Sequence, residues 1–358
     1  MGALGRRERL TLVVTLAASL SAIILAAANT GAVLIFVVAG VALALLASVV
    51  GQATEQLGER LGPGATGVLQ SALGNLPELF FSVFALRKGG AENITIVQST
   101  IVGSVLGNSL LVLGLAFLVG GLRHGTQRFD SRTTRMIATL TILAVAALAI
   151  PTLAHGLHTP AGAHADVLSV VCALVLLTVF IVSIPFSLSG GEGGVTADAG
   201  EMRGESWPLW LAVTVLAAAG VGALFVSDVF VNALDPAIAA LHLSPAFTGL
   251  VVVAIVGNAV ENVVGVQLMA RNKPDYAISV ILNSSLQVAL GLTPVLVLLS
   301  FVIGGSHLTL VLPGLLVAAL GLTAILGAVI VYDGESTWLE GAALMGLYGI
   351  IAASFWWG

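Results

Sequence analysis

Apolar runs of helix length, following one another from residue 9 to residue 357, constrain this chain more than any other feature. They fall near 9–28, 31–50, 64–87, 94–121, 133–154, 164–186, 208–232, 245–270, 275–303, 309–331 and 337–357, eleven in all. About 20 apolar residues carry a helix across the roughly 30 Å hydrocarbon core of a bilayer, whereas barrel strands alternate in ten-residue segments. With 58% hydrophobic and 9% charged residues, against roughly 25% charged in soluble domains, the expected fold is an all-α polytopic membrane protein with eleven transmembrane helices. Its surroundings are the lipid bilayer, and no nucleic-acid partner is expected. Cys172 is the single cysteine and excludes an intramolecular disulfide. Residues 1–9 are too short and too basic at their end for a cleavable signal, so the first run reads as a retained helix.

Placing the N-terminus in the cytoplasm puts Arg6, Arg7, Arg9, Arg60, Arg123, Arg128, Arg132, Arg135, Arg203, Arg271 and Lys273 inside. Only Arg87 and Lys88 of the 13 basic residues fall outside, the asymmetry that positive-inside orientation demands. The break at Asn29-Thr30-Gly31 is the weakest boundary, because a re-entrant segment there would change the parity. The domain reading is an extra N-terminal helix at 1–30, a five-helix repeat at 31–186, a linker at 187–206, and a second five-helix repeat at 207–358. The linker is Gly-rich and acidic, with Glu192, Asp198, Glu201 and Glu205 against Arg203. An odd number of crossings inverts the second repeat relative to the first. The expected location is a prokaryotic inner or plasma membrane, with the N-terminus and linker in the cytoplasm. Assembly into a homo-oligomer is compatible with the sequence.

Two runs carry near copies of one motif, Gly74-Asn75-Leu76-Pro77-Glu78 and Gly257-Asn258-Ala259-Val260-Glu261. An acid at membrane depth is costly and marks function by default, and apart from Arg87 at the very end of the first run no Lys or Arg lies within these runs to neutralise it. Gly-Asn-x-x-Glu alone is a weak pattern; its recurrence in both halves points to two repeats that each lend one carboxylate to a shared site. On a continuous helix Asn75 and Glu78 share a face with Gly74, and Asn258 and Glu261 with Gly257. The glycines admit close approach to the backbone, and Pro77 leaves the carbonyl of Leu73 without its helical donor. Carboxylate, amide and freed carbonyl oxygens are hard ligands suited to Ca²⁺, which makes Glu78 and Glu261 the candidate metal ligands. Without the cation the paired acids repel and take up protons instead.

Further polar positions echo between the halves. Thr54-Glu55 and Ser227-Asp228 precede the two motifs, making Glu55 and Asp228 candidate pathway or gate acids, with solvated helix ends as the equal alternative. Gln98, Asn108, Ser284 and Gln287 are candidates to line a cavity, although serine more often serves helix packing.

These residues resemble the cation/proton exchanger branch of the Ca²⁺:cation antiporter superfamily. Ala53-Thr54-Glu55-Gln56, the first motif and Phe84-Ala85-Leu86-Arg87 look like that family's first repeat. Ser227-Asp228, Asp235-Pro236, the second motif, Asn272-Lys273-x-Asp275 and Ser284-Ser285-Leu286-Gln287 look like its second. Asp333-Gly334-Glu335-Ser336-Thr337-Trp338-Leu339-Glu340-Gly341 is similar to the tract before its last helix. The resemblance implies export of Ca²⁺ driven by inward proton flow, through two inverted repeats that alternate access to a midplane site. It carries ligand roles onto Glu78 and Glu261, supporting roles onto Asn75, Asn258, Ser284 and Gln287, and transported Ca²⁺ and H⁺ in place of any cofactor. Three departures stand out: Asn262 replaces the family's usual histidine, Pro77 is more typical of sodium/calcium exchangers, and the acidic linker is short.

Three other readings compete. Na⁺/Ca²⁺ exchange keeps the site and changes the counter-ion. A cation channel needs a ring of equivalent ligands, which a twofold inverted repeat does not supply. An intramembrane metalloenzyme would draw on His155, His158 and His164, but no His-Glu-x-x-His pattern is present.

Overall fold

The computed structural model describes residues 5–61, 73–189 and 207–357. Almost all of them are helical, as a chain in hydrocarbon must be if its backbone is to bond within itself. Among the described residues seven helices are long and apolar enough to cross a membrane, and a bent pair makes an eighth. Two more apolar helices have 17 residues each, about 26 Å at 1.5 Å per residue. The third expected run, 64–87, is described only from residue 73 onward. Of the expected linker, 190–206 lie outside the described residues.

The chain divides into two compact units, Met1–Phe84 with Ile181–His242, and Ala85–Phe180 with Leu243–Gly358. The first holds α1 (Arg6–Ala27), α2 (Ala32–Leu61), the start of α3 (Leu76–Lys88) and α7 (Leu209–Leu241). At the doubtful break, Asn29 takes φ 51° and Gly31 φ 122°. That left-handed turn ends one helix and starts another, so α1 and α2 are separate candidate spans. The long helices α2 and α7 pack lengthwise through small residues, with Ala39, Ala42, Ala53 and Ala223 fully buried. Phe230 stacks on Phe36 at 4.7 Å and meets Phe81 edge-on at 5.7 Å. Trp207 closes one end against Ala53 and Leu57, its backbone N–H donating to Gln56 Oε1 at 2.7 Å.

The second unit contains α4 (Ala91–His124), α5 (Ser131–Gly156), most of α6 (Ala165–Ser189), α8 (Pro245–Gly257), α9 (Ala259–Ala270), α10 (Pro274–Ser300), α11 (Gly314–Ile330) and α12 (Trp338–Ser354). Helices α4 and α10 form its interior. Their most apolar stretches are 78% and 72% buried, against 39% for α5. The backbones of α4 and α8 touch at Gly103 and Gly249, where any Cβ would strike the carbonyl of Leu250 or of Ile96. Each interior helix, and α8 as well, contains one π turn: Gly107–Val112, Thr248–Val253 and Val288–Leu292.

Two irregular segments tie this unit together. Strand β1 (Gln127–Arg128) pairs antiparallel with β2 (Glu335–Ser336), placing the Asp333–Gly341 tract beside the α4–α5 turn. After a turn at 301–305, residues 306–313 form an extended strap, which corrects the expected span 309–331: its helix begins only at Gly314. Along the strap Leu308, Leu310 and Leu312 are buried, and its backbone is satisfied by side chains. The N–H groups of Leu308, Leu310 and Leu312 donate to the hydroxyls of Ser300, Ser169 and Thr152 at 2.9, 2.9 and 2.8 Å. Gln98 Nε2 donates to the carbonyls of Thr309 and Val311 at 2.9 and 3.1 Å.

Candidate functional site

Both copies of the repeated motif interrupt a helix at the same place. In the first, Gly74 and Asn75 form a turn and α3 starts at Leu76, with Leu79 N–H donating to the Asn75 carbonyl at 2.9 Å. In the second, α8 ends at Gly257, Asn258 takes φ −92° and ψ 21°, and α9 starts at Ala259. There Asn262 N–H donates to the Asn258 carbonyl at 3.0 Å, and the axis turns by 61°. Glycine gives up helix stability and asparagine competes for backbone bonds, so Gly-Asn breaks the helix locally in both halves. The continuous helix that sequence periodicity suggested across each motif is corrected by this break. Pro77 now falls in a first turn, where a missing N–H costs nothing.

Glu78 and Glu261 therefore occupy the same station, the third residue of a helix whose N-terminus carries a positive partial charge that favours a carboxylate. Glu78 is buried, 2% exposed, and Asn75 is buried beside it in the sequence. Glu78 belongs to the first unit and Glu261 to the second.

Within the second unit, Asn258 sits in a buried polar network. Its Nδ2 donates to Ser104 Oγ and to the Ala254 carbonyl, both at 2.9 Å. Its Oδ1 accepts from Asn108 Nδ2 at 3.1 Å and from the Ser284 hydroxyl at 3.5 Å. Asn108 Nδ2 also donates to Ser284 Oγ at 2.9 Å, and Ser109 and Ser285 share a hydrogen bond one residue further along at 3.1 Å. The π turn at Gly107 puts Asn108 and Ser109 on this path, a common device at functional sites. Both oxygen and nitrogen of Asn258 are thus engaged. The buried amide oxygens of Asn108 and Asn262, by contrast, accept no hydrogen bond among the described residues. Together with Ser104 and Asn258 they line a small, partly open pocket. Its polar lining is neutral, all oxygen and nitrogen.

The other expected positions divide. Ser284 joins the network, and Gln287 is half-buried at the start of the α10 π turn. Gln98 is committed through its nitrogen to the strap. Asp228 is exposed at mid-length of α7, and the Glu55 side chain lies outside the described residues. His155 and His158 donate to nearby backbone carbonyls. Sequence reasoning missed Ser104, Ser109 and Ser285 as partners; their Gly-Ser and Ser-Ser context after each motif was the available signal.

Comparisons with known proteins agree with this architecture. The family described as sodium/calcium exchanger protein matches residues 31–189 and 211–357. A Ca²⁺/H⁺ antiporter of Synechocystis sp. is 35% identical over 345 residues, covering 91% of each chain. The Ca²⁺/H⁺ antiporter ChaA of Bacillus subtilis is 34% identical, covering 90% of this chain and 91% of its own. Among solved structures, native YfkE aligns with a TM-score of 0.82 at 30% identity, over 97% of this chain and 99% of that one. The H⁺/Ca²⁺ exchanger CAX aligns at 0.73 with 16% identity, over 98% and 92%, a likeness of fold.

Proposed function

The chain belongs to the sodium/calcium exchanger protein family, an integral membrane protein and a transporter, not an enzyme, and from that premise we propose that it exchanges Ca²⁺ for H⁺ by alternating access. Glu78 and Glu261 bind the metal or protons in competition. One observation carries the reading: the same Gly-Asn-x-x-Glu breaks a helix in both halves and sets an acid at the third residue of the helix that follows. Half-helix ends of this kind offer carbonyls and a charged side chain to an ion at depth. Two carboxylates neutralise one Ca²⁺; emptied of metal they repel, their proton affinity rises, and protons replace the cation. The open amide oxygen of Asn108 supplies a further hard ligand, while Asn258 holds Asn108 in place. Asn75 has the corresponding station in the first motif. Glu55 and Asp228 are placed before the motifs as pathway acids. The two repeats are inverted, with the N-terminus and the 187–206 linker in the cytoplasm.

Na⁺ as counter-ion gains little support from Pro77, because that proline has a local reason to be there, the start of α3. Vesicles loaded with Ca²⁺ test the proposal. Efflux driven by a pH gradient in Na⁺-free buffer supports it, and an absolute need for Na⁺ overturns it. Intact exchange in Glu78→Gln or Glu261→Gln would show that the acids do not share the site.

A further inference from the structure

We propose that Arg135, with Arg132 and Tyr332, forms a binding site for the phosphate headgroup of an anionic phospholipid. Arg135 lies in the second turn of α5 and Tyr332 two residues past the end of α11, two helices that pack together. The Arg135 guanidinium lies 5.5 Å from the centre of the Tyr332 ring, and its Nε donates to the Ser131 carbonyl at 3.0 Å. Those two contacts fix the plane of the group. Its terminal nitrogens have no partner among the described residues, and Arg135 itself is exposed. A guanidinium held on an aromatic face, with its fork free, matches a phosphate in bidentate geometry.

The neighbouring acids are hydrogen-bonded to other groups. The Asp130 carboxylate accepts from the N–H groups of Arg132 and Thr133 at 3.0 and 3.3 Å, and Asp333 Oδ1 accepts from Glu335 N–H at 3.1 Å. Arg132, exposed beside Asp130, adds partial charge, so Arg135 is the main anchor. The helices below supply the rest of a lipid's chemistry. Leu143 on α5 is 51% exposed, and Leu322 and Val329 on α11 are 67% and 66% exposed; they lie on outward stripes that start at the Arg135–Tyr332 end. Arginine and tyrosine at the rim above an apolar wall are the arrangement of a membrane interface. Charge complementarity selects an anionic lipid as the occupant over a zwitterionic one.

Native mass spectrometry of the purified full-length protein, titrated with phosphatidylglycerol or phosphatidylcholine, reads the site directly. Phosphatidylglycerol should bind preferentially, and Arg135→Gln should weaken that binding about fivefold, the share of one basic residue at an anionic surface. Arg128→Gln, at a residue already paired with Glu335 at 3.0 Å, should leave it unchanged. Equal binding of the two lipids, unchanged binding in Arg135→Gln, or full competition by free glycerol phosphate would each overturn the proposal.

Discussion

Asn108 donates its amide hydrogen to Asn258 Oδ1 across 3.1 Å, joining the π turn of α4 to a helix break 150 residues away. That bond is what orients both amides, since Asn258 has its remaining polar atoms engaged by Ser104, Ser284 and Ala254. Replacing Asn108 by Ala removes two donated bonds and one open acceptor together. We expect a loss of about 1–3 kcal/mol, which expressed in ion affinity is roughly five- to 150-fold. Ser109→Ala deletes only the neighbouring serine pair and should cost about 1 kcal/mol with little change in affinity. Ca²⁺ titration of the two purified variants separates a positioning role from simple packing, and equal affinities in both would remove Asn108 from the site.

At Gly103 the constraint is steric. A methyl group there meets the backbone of Leu250, which has no rotamer with which to yield. Gly103→Ala should destabilise by about 1–3 kcal/mol through overpacking, lowering the thermal midpoint in detergent. Gly107→Ala, one turn on with open space around its Cβ, is the control; similar midpoints in the two variants would contradict the close contact.

Much of this was legible beforehand for a physical reason: hydrocarbon demands long apolar helices, and each helix announces itself by composition. The Gly-Asn breaks are local too, so the two acids stand out from sequence. The Asn108–Asn258 pairing is not local, and no pattern along the chain encodes a contact over 150 residues. The strap was hidden differently. Leu308, Leu310 and Leu312 look like the start of an apolar helix, but they are buried at alternate positions, the period of extended chain. Only the distant Gln98, Thr152 and Ser169 that satisfy its backbone distinguish the two.

That strap makes its own prediction. Thr152 Oγ1 donates to the Leu310 carbonyl at 3.0 Å and accepts from Leu312 N–H at 2.8 Å. Thr152→Val keeps the shape of the side chain and orphans both backbone groups, each at about 1–3 kcal/mol. Hydrogen exchange should rise at residues 308–312 and stay unchanged in α12. Thr152→Ser, which retains the hydroxyl, should exchange like the parent; protection that survives in Thr152→Val would mean the strap is held by its leucines alone.

Asp130 links the cap of α5 to pH. The N–H of Arg132, then the Thr133 hydroxyl and N–H, hold its carboxyl below the ordinary 3.8. Asp130 N–H in turn donates to Asp275 Oδ1 at 2.6 Å, fixing the α5 start to the first turn of α10. A carboxyl whose folded pKa is depressed adds stability that is fully present above the unfolded value. That contribution fades as pH falls and is gone below the folded value. Asp130→Ala should cost about 1 kcal/mol at neutral pH through the lost cap. Asp130→Asn keeps a cap of equal rank and loses only the charge, so its deficit should be smaller. Measured against the parent by thermal unfolding, the Asn deficit should hold down to about pH 5 and shrink as pH is lowered from about 5 toward 3, because the parent is then losing the same charge. A deficit that stays constant over that window would assign the Asp130 contribution to hydrogen-bond geometry and not to ionisation.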